Sequence, residues 1–209
     1  MEQLGFQWNT MSRLGIIGGT FDPIHGGHLA AAEAAQQHYH LDCVLFIPSG
    51  HPPHKDSSHI SPSRDRYLMA LLATCNTAGF HVSQVELMRA GTAYTIDTLR
   101  LLQSWVRPDC RLFFIVGADM ALDLPTWREP DAILAAAQVV ALNRPGYDLS
   151  ALEEVLGPAR AAQIQTLSVN TPDISATNIR RRVASGHSIA GLTPVPVRQY
   201  IAALHLYTT

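Results

Sequence analysis

Lysine is almost missing from this chain: fourteen of its fifteen basic residues are arginine, and Lys55 is the only lysine. Codon usage accounts for the arginines in an alanine-rich chain, but not for where the one lysine stands. Charge is sparse as well, at 15% of 209 residues, and a formal net charge of −2 offers no basic excess for general nucleic-acid binding. No apolar run approaches the roughly 18–20 residues that span a bilayer. The N-terminus has no charged segment followed by an apolar one, so no secretory leader is expected. Cysteine is scarce: Cys43, Cys75 and Cys110 are odd in number, lie in apolar surroundings and show no C-x-x-C spacing. Buried free thiols are therefore expected rather than disulfides or metal ligands. Internal repeats, low-complexity tracts and the G-x-G-x-x-G dinucleotide fingerprint are absent too. What remains is a soluble, cytoplasmic protein whose 47% hydrophobic content suffices for a substantial core. Residues 13–209 read as one domain. Residues 1–12 read as an N-terminal extension without periodicity, either a disordered arm or a stretch ahead of a start at Met11.

The densest feature present is the run from Gly18 to His28, GGTFDPIHGGH. The apolar residues Leu14 to Ile17 before it suit a buried strand, and the Ala-rich stretch Leu29 to Gln37 after it favours a helix. His28 then falls in the first turn of that helix, where unpaired N–H groups and the helix dipole favour an anion and two imidazoles add donors. Gly18 and Gly19 are expected to let the chain turn sharply or approach a ligand closely. His25 and His28 could also ligate a metal. A closed zinc site wants about four ligands, however, and no cysteine lies near to complete one.

Strands and helices alternate along the rest. Strands are expected at Asp42–Ile47, Phe80–Val85, Arg111–Val116 and Gln138–Leu142, and helices at Ser61–Thr77, Thr95–Trp105 and Pro130–Ala137. Ser61 is expected as the N-cap of its helix, with Pro62 at the first position. Near-continuous apolar strands between helices imply an α/β fold of the Rossmann-like, doubly wound kind, a mainly parallel sheet with helices on both faces. Ligands bind such sheets at the carboxyl ends of the strands, where strand order reverses.

Three further segments carry chemistry. Pro48 to Lys55, PSGHPPHK, puts two histidines and the lone lysine after the second strand. Gly117-Ala118-Asp119 follows another strand, and Asp119 can either cap a helix or accept from ribose hydroxyls. Trp127 lies eight residues on, suited to plain core or to a flat ring. In Ile174 to Arg180, ISATNIR, Ser175 or Thr177 can cap a helix whose start is a second anion site, and Arg180 can grip phosphate oxygens in a fork. Arg181 and Arg182 read as an exposed basic face.

The His25-Gly26-Gly27-His28 element resembles the H-x-G-H signature of the adenylyltransferase and cytidylyltransferase superfamily. The longer run from Gly18 resembles bacterial nicotinate-nucleotide adenylyltransferases in particular. Pro48 to Lys55 is similar to that family's P-S-G-x-P-P-H-K loop, and Gly117, Ala118, Asp119, Leu124 and Trp127 match its G-A-D-x-x-x-x-L-x-x-W pattern. Ala93 to Leu99 resembles S-Y-T-x-x-T-L, with alanine for the usual serine. Ile174 to Arg180 resembles the superfamily's I-S-x-T-x-I-R.

The resemblance implies transfer of the adenylyl group of ATP, with Mg²⁺, to nicotinate mononucleotide, giving nicotinate adenine dinucleotide and pyrophosphate in NAD biosynthesis. It implies catalytic roles for His25, His28, Lys55 and Arg180. ATP would meet Gly18, Gly19, Thr20, Phe21, His25, His28, Gly117, Asp119, Ile174, Ser175, Thr177 and Arg180. The mononucleotide would meet Asp22, Lys55, Tyr94, Thr95 and Trp127, the indole stacking on the pyridine ring and Thr95 with nearby amides meeting its carboxylate. No protein ligands for a metal, no nucleic acid and no membrane are implied. Competing expectations are an adenylyltransferase for phosphopantetheine or nicotinamide mononucleotide, and a non-catalytic nucleotide-binding regulatory module. A module would have no reason to keep both histidines and Arg180. An aminoacyl-tRNA synthetase also carries an H-x-G-H-like element, but would need length for RNA-binding domains and a basic balance.

Overall fold

The computed structural model describes residues 8–50, 60–143, 151–169 and 173–208. Lys55, His51 and His54 lie outside the described residues. Six strands, β1 (Arg13–Gly19), β2 (Cys43–Pro48), β3 (Phe80–Val82), β4 (Arg111–Gly117), β5 (Gln138–Asn143) and β6 (Ile164–Ser168), form one sheet ordered β3-β2-β1-β4-β5-β6. Every neighbouring pair is parallel, so the sheet is wholly rather than mainly so.

Successive strand residues face opposite sides of the sheet, and β2 divides accordingly. Val44 and Phe46 join one buried cluster, whereas Cys43, Leu45 and Ile47 join another. The first cluster is covered by α1 (Gly26–Tyr39), α2 (Ser63–Thr74), α8 (Ala176–Ala184) and α9 (Val195–Ala203). The second is covered by α3 (Thr95–Trp105), α4 (Ala118–Leu122), α5 (Pro130–Ala136) and α6 (Ala151–Leu156), and a short α7 (Pro158–Ala161) leads into β6. Helices on both faces of a parallel sheet make this the doubly wound, Rossmann-like architecture expected. Strand order reverses between β1 and β4, and the segments from Gly18 and from Gly117 leave the sheet there.

Local chemistry fixes the element ends. α3 buries Ile96, Leu99 and Leu102 on one face and has Asp97 in its first turn. α1 ends at His40, whose φ of 49° is left-handed and whose N–H reaches back to Gln36 and Gln37 carbonyls. β3 stops at Val82 instead of Val85 because the Ser83 hydroxyl accepts from the Val85 N–H at 3.2 Å, closing a turn. α2 begins at Ser63 with Pro62 as a cap that makes no side-chain bond, not with Ser61 as cap. Ser61 has another task, described below. α2 also ends at Thr74, whose hydroxyl bonds the Ala70 carbonyl at 2.9 Å.

Residues 8–12 pack on the domain: the Trp8 ring lies 5.6 Å from that of Trp105, and Met11 is buried. The three thiols are free, but only Cys43 is buried, Cys110 being half-buried and Cys75 exposed. Burial pushes the Cys43 thiol up to about 12, with Asp42 adding to the effect. Among the described residues no helix is long and apolar enough to cross a membrane.

Candidate active site

The turn out of β1 is not made by its glycines. Gly18 and Gly19 are still strand residues, paired with Ile47 and Pro48. The left-handed residue is Phe21, with φ of 50°. Gly19 is needed for a different reason, because a Cβ there would stand 2.9 Å from the Phe21 ring. That ring is fully buried and meets His28 edge-on at 5.1 Å.

The chain then enters α1. His25 is the N-cap, in extended conformation, and His28 occupies the first turn as expected. The His25 backbone N–H donates to His28 Nδ1 at 3.2 Å. An imidazole that accepts at Nδ1 carries its proton, when neutral, on Nε2. The two rings stack with centroids 3.7 Å apart and planes 28° from parallel. His25 is buried beneath and His28 half-buried above it.

A second helix start lies alongside. Ser175 caps α8, its hydroxyl accepting from the Asn178 N–H at 3.2 Å, so it and not Thr177 is the cap. A Cβ on Gly26 would lie 3.5 Å from Ile174, which sets the N-termini of α1 and α8 side by side. Each helix start carries the positive end of its dipole and first-turn N–H groups without a partner inside the helix. Arg180, in the same helix, donates to the Asp22 carbonyl at 2.7 Å and approaches the Thr177 hydroxyl at 3.4 Å. Arg181 and Arg182 bond locally, to Asn178 and to the Ser188 carbonyl.

Asp22 sits in the middle of this arrangement and is buried. One carboxylate oxygen accepts from the Ser61 N–H at 3.1 Å, the other from the Tyr207 hydroxyl at 2.6 Å. Its carboxylate, expected among the mononucleotide contacts, is thus engaged by protein groups. Arg66, which sequence reasoning passed over, is also buried, and donates to the carbonyls of Thr20, Ser61 and Gly50. A signal was present: Arg66 stands at helical spacing from the apolar pair Met69 and Ala70, on the buried face of α2.

Across the switch point, Gly117 caps α4 and Asp119 is an exposed residue of its first turn, so Asp119 is not the cap. Trp127 is half-buried, its ring T-shaped to Phe114 at 6.0 Å. Arg128 beside it lies over the Tyr94 ring at 4.7 Å and pairs with Asp97 at 3.8 Å. Tyr94 and Thr95, at the start of α3, are thereby joined to the Trp127 segment. Among the described residues no group of three or more His, Cys, Asp or Glu could hold a metal ion.

Residues 16–182 match the cytidylyltransferase-like family. The chain is 42% identical over 198 residues to the probable nicotinate-nucleotide adenylyltransferase of Thermoanaerobacter sp. (strain X514), covering 93% of this chain and 94% of that one. It is 47% identical over 191 residues to the probable nicotinate-nucleotide adenylyltransferase of Frankia alni, covering 91% and 98%. The fold is similar, with a TM-score of 0.74 at 16% identity, to that of Plasmodium falciparum nicotinic acid mononucleotide adenylyltransferase complexed with NaAD, over 94% of this chain and 97% of that one. The family match spans the paired histidines, the switch point and the start of α8, and, with these identities over nine-tenths of its length, the chain belongs to the nicotinate-nucleotide adenylyltransferases of the cytidylyltransferase-like family.

Proposed function

We propose that this protein transfers the adenylyl group of ATP to nicotinate mononucleotide, releasing pyrophosphate and nicotinate adenine dinucleotide. The observation that carries the reading is the adjacency of two helix starts, the stacked pair His25 and His28, and Arg180 bonded to the turn after β1. That assembly suits a polyphosphate, which needs several donors and positive ends at once.

The mononucleotide phosphate attacks the α-phosphorus of ATP in line. A P–O bond forms to that phosphorus as the bond to the β-phosphate oxygen breaks. The nucleophile is already ionised near neutral pH, so no general base is called for, and catalysis rests on positioning and charge stabilisation. His28 donates from Nε2 to an α-phosphate oxygen, with its ring orientation set by the His25 N–H, and His25 supports it from beneath. Arg180 and the capped start of α8, with Ser175 and Thr177, hold the triphosphate, and Lys55 contributes a further phosphate contact. Gly18, Gly19, Thr20 and Phe21 shape the adenylyl side, with Gly117 and Asp119 facing the ribose. Trp127 offers its indole to the pyridine ring, and Tyr94 and Thr95 bring α3 amides to the carboxylate. Such amides select an anionic carboxylate over a neutral carboxamide.

The acidic side chains nearest the histidines fit a metal that arrives with its nucleotide. Asp22 already accepts from Ser61 and Tyr207, and Mg²⁺ would come bound to the phosphates of ATP, where it would neutralise charge. The reading is tested by incubating purified protein with ATP, Mg²⁺ and nicotinate mononucleotide and separating the products. Equal yields of pyrophosphate and the dinucleotide are expected; recovery of unchanged mononucleotide would refute it.

A further inference from the structure

An arginine on the buried stripe of a helix is costly, because its guanidinium leaves water. Arg66 is only 2% exposed. Burial pulls its pKa down while nearby Asp22 and Tyr207 pull it back up. Its donors go to main-chain carbonyls: Nε to Ser61 at 3.1 Å, one terminal nitrogen to Thr20 at 2.8 Å, the other to Gly50 at 3.3 Å. One side chain thus joins the turn after β1, the exit from β2 and the lead into α2.

Gly50 is gripped from the other side by Glu86. The Gly50 backbone lies directly against Glu86, whose carboxylate accepts from the Thr98 hydroxyl at 2.9 Å. The approach is close enough that a Cβ on Gly50 would stand 2.5 Å from the Glu86 carbonyl oxygen. Thr98 is buried and sits three positions after Thr95 in α3. An unbroken set of contacts therefore runs from Thr20 through Arg66, Gly50 and Glu86 to Thr98. It connects the loop that carries the two histidines to the helix whose start meets the pyridine carboxylate.

These two regions follow different strands, β1 and β3, and β2 lies between those strands in the sheet. In-line transfer requires the two substrates to meet within a few tenths of an ångström, and a misplacement of about 1 Å costs on the order of a hundredfold in rate. We propose that Arg66 and Glu86 are positioning residues for the transfer, acting through Gly50 to hold the Thr20 turn in register with the start of α3. This inference rests on the proposed function.

The test uses the full chain, with kcat, KM for both substrates and the melting temperature measured for wild type, Arg66→Lys, Glu86→Ala and Glu86→Gln. Lysine keeps the charge but cannot reach three carbonyls in a fork. Arg66→Lys is expected to lower kcat about tenfold or more while both KM values stay within about threefold. Glu86→Gln keeps the backbone against Gly50 and an acceptor for Thr98 and should hold kcat within about threefold of wild type, whereas Glu86→Ala should lose about tenfold. A folded Arg66→Lys with wild-type kcat overturns the proposal, as does a loss that only follows the fraction of folded protein. Should Arg66→Lys not fold, equal kcat in Glu86→Ala and Glu86→Gln overturns it, and a loss in the first restored in the second supports it. A wild-type protein without activity would instead count against the proposed function.

Discussion

The Tyr207 hydroxyl donates to the Asp22 carboxylate at 2.6 Å, fastening the turn after α9 to the middle of the first motif, 185 residues earlier. The same Asp22 offers its carbonyl to Arg180 at 2.7 Å. Asp22 is thus the point at which the turn after β1, α8 and the turn after α9 are held together. Burial and the neighbouring Asp22 carboxylate both push the Tyr207 phenol well above its ordinary value, so it stays a donor throughout the working pH range. Tyr207→Phe removes the donor and leaves a buried carboxylate oxygen short of a partner. It should lower the unfolding free energy by about 1–3 kcal/mol, read as a shift of the urea midpoint at unchanged slope.

His28 owes its orientation to the His25 N–H, which occupies Nδ1 and places the neutral ring's proton on Nε2. If that proton stabilises the phosphorus centre only as charge develops, His28→Ala should lower kcat about 10²–10³-fold and change either KM far less. Steady-state kinetics with each substrate varied in turn checks the split. Near-wild-type turnover would remove His28 from the chemistry.

Glu86 gives the stability a pH signature. Burial raises its carboxyl above the ordinary value of 4.5, against smaller opposing effects from the Thr98 bond, Arg89 and the Gly50 backbone. The folded chain therefore binds this proton more tightly than the unfolded chain. Stability from this group is full below the unfolded value near 4.5 and falls as pH rises through the folded one. Glu86→Gln, which cannot ionise, should remove that decline. Its unfolding free energy relative to wild type should rise from acid toward neutral pH in parallel urea titrations, and a constant difference would contradict the assignment.

The legible parts of the fold were those in which local pattern and tertiary role agree. α3 shows its apolar spacing, and β1, β2, β4 and β5 are short apolar runs because each is covered on both faces. β6 was not legible: it buries only Ile164 and Leu167 of its five residues, as suits an edge strand. Ser61 does not cap α2, which starts at Ser63 behind Pro62; its N–H goes instead to Asp22, 39 residues away. Around the site, His25, His28, Ser175 and Arg180 announced themselves through chemistry at helix starts. The tasks of Asp22 and Arg66 depend on partners brought near only by folding, the farthest 185 residues distant. No local pattern in the chain encodes such a meeting.

The most direct test of the account compares initial rates of pyrophosphate release from ATP and Mg²⁺ with three acceptors: nicotinate mononucleotide, nicotinamide mononucleotide and phosphopantetheine. If the amides at the start of α3 meet the pyridine carboxylate and the indole of Trp127 its ring, as proposed, nicotinate mononucleotide is the best acceptor, nicotinamide mononucleotide is weaker through its neutral carboxamide, and phosphopantetheine gives no release above background. Faster release with phosphopantetheine than with nicotinate mononucleotide would contradict the account at its centre.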